Sequence, residues 1–83
     1  MGNEMSIRLF ATLKDRAGQS RVSIELNEPI AVKVFLDQLA AKYPQLATTL
    51  PSSLVAVNRT YAERTTIINP GDEVALFPPV SGG

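Results

Sequence analysis

Apolar and polar residues alternate over residues 5–13. Ile7, Leu9, Ala11 and Leu13 fall on one side, and Arg8, Phe10, Thr12 and Lys14 on the other, the period-two pattern of a half-buried strand. The polar run Lys14-Asp15-Arg16-Ala17-Gly18 ends in glycine and reads as a loop or a single helical turn. Alternation resumes over 21–26, with Val22, Ile24 and Leu26 on one side and Arg21, Ser23 and Glu25 on the other. The two segments are expected to form an antiparallel hairpin. Asn27-Glu28-Pro29 breaks the pattern, and from Val32 the period becomes helical. Val32, Phe35, Leu36, Leu39, Ala40 and Tyr43 make one stripe, opposite Lys33, Asp37, Gln38 and Lys42, while Val34 lies off the stripe and is expected to be partly exposed. Pro44 should stop this helix near Tyr43. Ala31 stands where a Ser, Thr or Asp cap is wanted, so the start is expected to be ragged.

Beyond the helix, Leu46 and Leu50 lie four apart in a connection over 45–53 and should tuck one loose turn against the core. Leu54-Val55-Ala56-Val57 is almost wholly apolar, as expected of a strand near the middle of a sheet. Asn58-Arg59 reads as a turn, Thr60-Tyr61-Ala62 as a brief edge strand, and Thr65-Thr66-Ile67-Ile68 leads into Asn69-Pro70-Gly71-Asp72, a strong turn signal. A last strand follows, with Val74 and Leu76 inward and Ala75 and Phe77 outward. This order predicts an α+β protein with one main helix on one face of a mixed sheet of 4–5 strands. The order suggests a β-grasp, a fold type whose first and last strands are parallel central neighbours. In that fold Phe10 and Phe77, both out of phase with the inward residues of their strands, lie side by side on the face away from the helix. Scattered exposed aromatics are ordinary. Here, however, they are two of only three Phe, in a chain with two Tyr and no Trp, which points to a partner-binding patch.

The chain ends Phe77-Pro78-Pro79-Val80-Ser81-Gly82-Gly83. Neither proline can donate to a ladder, and each fixes φ near the extended value, so pairing stops after Phe77. Residues 80–83 would reach about 13 Å further at roughly 3.3 Å per extended residue. Gly82 and Gly83 have no β-carbon, so this is the narrowest end a polypeptide can have. A frayed terminus is the plain alternative. The functional one is a carboxylate on a thin arm, inert until activated by a nucleotide, that enters a slot in another protein. The expected organisation is a mobile extension at 1–5, a β-grasp domain at 6–79 and a flexible tail at 80–83.

Composition narrows the chemistry. The 83 residues suit one domain, and 45% hydrophobic residues supply one small core. There is no Cys and no His, which removes disulfides, thiolate nucleophiles, imidazole acid–base catalysis and the usual zinc sites, so no metal is expected. Eight basic residues balance eight acidic ones without a block of either sign, which argues against nucleic acid as a partner. No run has membrane length and no signal-peptide pattern is present, so a cytoplasmic, membrane-free protein is expected. Met1-Gly2 with Ser6 fits an N-myristoylation pattern and Asn58-Arg59-Thr60 a glycosylation sequon; both read as chance matches.

Three stretches together resemble one family. The ending from Gly71-Asp72-Glu73-Val74 through Phe77-Pro78-Pro79-Val80-Ser81-Gly82-Gly83 resembles the C-terminus of molybdopterin synthase small subunits, which are sulfur carriers. Val55-Ala56-Val57-Asn58-Arg59-Thr60 resembles that family's strand and turn, and Leu9-Phe10-Ala11 with the loop to Ala17-Gly18 is similar too. Thiamine-pathway carriers also end in Gly-Gly on this fold but typically lack the proline pair. The resemblance implies that an ATP-dependent activating enzyme adenylates the Gly83 carboxylate and that a persulfide donor then converts it to a thiocarboxylate. The charged tail would insert into the large synthase subunit and give sulfur to cyclic pyranopterin monophosphate, forming the molybdopterin dithiolene. The resemblance further implies a ubiquitin-like β-grasp fold, a heterotetramer of two large and two small subunits and no permanent cofactor. ATP would be consumed by the activating enzyme, with AMP and sulfur only transiently on Gly83. The chain itself would not be catalytic: Gly82 and Gly83 would carry the chemistry, with Phe10, Phe77, Pro78, Pro79, Val80 and Ser81 meeting the partner. The rivals are a carrier for thiamine or another thiolated product, a ubiquitin-like modifier, and an unreactive β-grasp interaction module.

Overall fold

The computed structural model describes residues 4–79. In chain order the elements are β1 (Glu4–Leu9), α1 (Ala11–Ala17), β2 (Arg21–Glu25), β3 (Ile30–Ala31), α2 (Val32–Lys42), two 3₁₀ turns (Pro44–Leu46 and Leu50–Ser52), β4 (Leu54–Val57), β5 (Thr60–Ala62), β6 (Ile67–Ile68) and β7 (Val74–Phe77). The main sheet has five strands in the order β2-β1-β7-β4-β5. β1 and β7 are parallel central neighbours and the other pairs are antiparallel, so the sheet is mixed as expected. β3 and β6 form a separate two-stranded antiparallel ribbon, a pairing absent from the sequence reading.

Alternation puts Met5, Ile7, Leu9, Val22, Ile24, Val55, Val57, Val74 and Leu76 on the inner face, where they form one cluster with Val32, Phe35, Leu36 and Leu39 of α2. Fully burying one such side chain contributes about 1.5–3 kcal/mol relative to exposure. Leu46 and Leu50 join the same core from the two 3₁₀ turns, and Val34 is 43% exposed, both as expected.

Three local features differ from the sequence reading. The first strand stops at Leu9, not Leu13. Ala11 sits at φ 52, in the left-handed region, which breaks the alternation and starts α1. Leu13 is still buried, now from a helix, whereas Ala11 is exposed. Gly18 closes α1 at φ 74 with its N–H on the Lys14 carbonyl, the left-handed helix end that glycine favours. Second, β1 begins at Glu4, earlier than the expected domain start at residue 6, because Met5 pairs with Ile24 and is buried. Third, α2 has no side-chain cap, yet its start is not ragged. Val32 N–H donates to the Thr66 carbonyl at 2.8 Å and Lys33 N–H to the Arg64 carbonyl at 3.0 Å, so a distant loop supplies the missing acceptors. Arg64 also donates from Nη2 to the carbonyls of Pro51 and Ser53 at 2.8 and 2.7 Å, tying that loop to the second 3₁₀ turn.

The free edge of β2 is guarded at its centre. Ser23 N–H donates to the Tyr43 hydroxyl at 3.1 Å. The hydroxyl and the Lys42 Nζ donate to the Ser23 carbonyl, both at 2.8 Å. Side chains from the end of α2 thus occupy backbone groups that a foreign strand would need.

Candidate functional site: the outer sheet face and the chain exit

The strand register fixes what the face away from α2 presents. Arg21 lies opposite Arg8, Arg8 beside Ala75, Ala75 opposite Ala56, and Ala56 opposite Tyr61. One step further toward the C-terminal end of β7, Phe77 lies opposite Leu54. On its other side stands Phe10, turned outward as the residue that ends β1 in extended conformation (φ −126, ψ 152).

Phe10 and Phe77 therefore meet, as the β-grasp order predicts. Their ring centroids are 4.7 Å apart and the planes differ by 9°. Tyr61 adds an edge-on ring at 6.2 Å from Phe77, and the Arg8 guanidinium lies 5.3 Å from the Phe10 centroid. Both phenylalanines are half-buried, whereas Tyr61 is 71% exposed. Between the rings, Ala56 and Ala75 leave a hollow of about 350 Å³, rimmed by Arg8, Arg59, Tyr61 and Glu73. Its floor is low because only methyl groups rise from Ala56 and Ala75 between the larger side chains around them.

Tyr61 was missing from the site expected from the sequence. The signal was present: a two-residue turn at Asn58-Arg59 fixes the register of β4 on β5 and sets Tyr61 opposite Ala56. Both turn residues have positive φ, 52 and 70. Asn58 is held there by Glu73, whose N–H donates to Asn58 Oδ1 at 2.9 Å and whose carbonyl accepts from Asn58 N–H at 2.7 Å. An exposed Arg59–Glu73 ion pair at 3.6 Å spans the same junction. The asparagine of the sequon-like motif is thus engaged in the fold.

The exit is built from the middle of the sheet. β7 is paired on both sides, to β1 and β4, up to Leu76 and Phe77. Pro78 follows half-buried and Pro79 exposed. The base of the tail is therefore fixed by a central strand, and neither proline can donate to extend its ladder. Val80, Ser81, Gly82 and Gly83 lie outside the described residues. Among the described residues no three or more Asp or Glu side chains group to hold a metal ion, and no helix is long and apolar enough to cross a membrane.

The family model described as "ThiS family" matches residues 7–83, from the second half of β1 to the final glycine.

The chain belongs to the ThiS family.

A relative from Dictyostelium discoideum, named molybdopterin synthase sulfur carrier subunit, is 40% identical to this ThiS-family chain over 87 residues, covering 100% of both. Among solved structures, the small archaeal modifier protein 1 of Haloferax volcanii superposes with a TM-score of 0.80 at 31% identity, covering 95% of this chain and 100% of that one. A complex of subunits 1 and 2 of molybdopterin-converting factor from Helicobacter pylori matches with a TM-score of 0.64 at 23% identity, over 96% of this chain and 99% of that chain, and shows the shared fold. These likenesses agree with the β-grasp topology read from the sheet order.

Proposed function

We propose that this ThiS-family chain is the sulfur carrier subunit of a molybdopterin synthase, non-catalytic in itself and cytoplasmic. The full-length match to the Dictyostelium relative of that name carries the reading. The site supports it through a rigid exit, an aromatic pair at its base and a sequence that continues Val80-Ser81-Gly82-Gly83.

The chemistry runs as follows. An activating enzyme brings ATP to Gly83. A carboxylate oxygen attacks the α-phosphorus and pyrophosphate leaves, giving an acyl-adenylate. The terminal sulfur of a persulfide donor attacks the acyl carbon and AMP leaves. A thiol then takes the donor's remaining sulfur as a disulfide, freeing the thiocarboxylate. Replacing oxygen with sulfur turns an inert carboxylate into a nucleophile. The globule needs no acid, base or metal for this; it holds the arm clear and docks it. Phe10 and Phe77 seat the body on the large synthase subunit while Pro78, Pro79, Val80 and Ser81 line the path of Gly82-Gly83 into that subunit's site. There the sulfur passes to cyclic pyranopterin monophosphate. The Helicobacter complex, which pairs that protein's subunits 1 and 2, supports such a partner.

The test is reconstitution of dithiolene synthesis with the large subunit. The charged chain should support it, and a chain lacking Gly83 should fold normally and transfer no sulfur. Undiminished transfer by that truncation would overturn the proposal. A second reading, a ubiquitin-like modifier, is favoured by the Haloferax likeness. Isopeptide-linked lysine adducts of the chain in its own cells, in the absence of any thiocarboxylate, would replace the first reading with the second.

A further inference from the structure

Beside the aromatic pair lies a cluster of positive charge that folding does not explain. Arg8 and Arg21 are directly opposite across β1 and β2. Leu9 N–H donates to the Ser20 carbonyl at 2.9 Å, so the Arg8–Arg21 pair falls at the non-hydrogen-bonded position, where side chains approach most closely. Like charges set opposite each other in this way are destabilising. Lys14 of α1 reaches the same cleft, which Arg8, Phe10, Ala11 and Ser20 also line. All three cations are exposed, and none is ion-paired with a carboxylate among the described residues. At the other end of the same face the positive charge is matched: Arg59 is paired with Glu73. Along β1 and β2 the same face is polarised: the opposed Arg8 and Arg21 stand at the Phe10 end, and the opposed, exposed Glu4 and Glu25 at the far end. The chain as a whole carries no net charge, so the cluster is a local arrangement and not the spill-over of a basic protein.

We infer that Arg8, Lys14 and Arg21 form the charged flank of the docking face and receive an acidic segment of the protein partner. That segment presents at least two carboxylates, while an apolar side chain of the partner fills the hollow over Ala56 and Ala75. This rests on the proposed seating of Phe10 and Phe77 on the large subunit and adds the chemistry of the opposing surface. A guanidinium fork matches a carboxylate bidentately, and two forks side by side with an ammonium next to them fit a pair of acidic side chains. Arg8 serves both halves of the site, since it lies over the Phe10 ring and on the rim of the hollow. Binding would relieve the repulsion between Arg8 and Arg21, so the cost built into the free carrier becomes selectivity for a partner of opposite sign. A phosphate-bearing partner is disfavoured, because neutralising a polyanion takes a longer basic track than these three residues.

The experiment is surface-plasmon-resonance binding of the full chain to the large synthase subunit at 50 and 300 mM salt. It compares wild type, the triple variant Arg8→Gln/Lys14→Gln/Arg21→Gln, and Phe77→Ala. The triple variant should associate about ten-fold more slowly at low salt, lose most of the salt dependence of association, and melt no lower than wild type. Phe77→Ala should instead dissociate faster and keep the salt dependence. Unchanged association and salt dependence in the triple variant, with binding still weakened by Phe77→Ala, would overturn the acidic-segment inference and leave the aromatic docking reading standing. If wild type fails to bind the large subunit, the docking reading itself fails, and this inference with it. Retention of a single-stranded oligonucleotide by wild type but not the triple variant, with large-subunit binding intact, would reassign the cluster to phosphate and also overturn the inference.

Discussion

The two faces of the five-stranded sheet are made by the same strands under opposite rules. Inward, Ile7, Leu9, Val55, Val74 and Leu76 are each at most 2% exposed and pack against α2. Outward, their immediate neighbours Arg8, Phe10, Ala56, Ala75 and Phe77 build a stacked aromatic pair, a small-residue hollow and part of a basic flank. Because the strand period is two, a single position separates a residue that holds the fold from one that presents the chain to a partner. The lesson is that stability and recognition can be altered independently here, by choosing adjacent residues of one strand.

The sharpest break in that comparison is the pair Leu76 and Phe77. Leu76→Ala should cost about 2–5 kcal/mol of stability, read from urea denaturation, because it opens a cavity in the centre of the core. Phe77→Ala should cost less, about 1–2.5 kcal/mol of stability, because Phe77 is only half-buried and the ring pair adds about 0.5–1.5 kcal/mol beyond the area it buries. It should nevertheless weaken binding to the large synthase subunit by about 2 kcal/mol, as expected of an anchor residue, in a calorimetric titration. Equal stability losses in the two variants would erase the distinction between the faces. Next in size is Arg64→Ala. It removes two charged hydrogen bonds to Pro51 and Ser53 and loosens the loop that caps α2, so a loss of about 1.5–3 kcal/mol is expected, with faster amide exchange in the first turn of α2. Smaller again is Arg59→Gly. Arg59 holds φ 70, where glycine carries no β-carbon penalty, so the melting temperature should rise by the equivalent of about 0.5–1 kcal/mol despite the lost surface ion pair. The smallest effect is Arg21→Gln, which removes one of the two opposed guanidinium groups and should stabilise the free chain by about 0.2–1 kcal/mol in low salt.

Much of this was legible in the sequence, because the apolar period set which side of each strand faces inward. The β-grasp order followed from the elements, and with it the meeting of Phe10 and Phe77, which lie far apart in the chain. What stayed hidden depended on single backbone angles or on distant partners. Alternation through Ala11 and Leu13 is compatible with strand or helix, and only the positive φ at Ala11 decides between them. The start of α2 looked uncapped because the acceptors come from Arg64 and Thr66, more than thirty residues downstream. The β3–β6 ribbon has two residues per strand, too few for a period to show. Tyr61 and the Arg8–Arg21 opposition became visible only with the cross-strand register, although the Asn58-Arg59 turn already contained the first of these.

In the proposed function the final glycine carries the cargo and the globule presents it. The most direct test is the intact mass of the purified chain after incubation with its activating enzyme, ATP and a persulfide donor. A sulfur carrier should gain the mass of exchanging one oxygen for sulfur, located on Gly83 by fragmentation and absent without ATP. An unchanged mass under conditions where the same enzyme charges the Dictyostelium relative would contradict it.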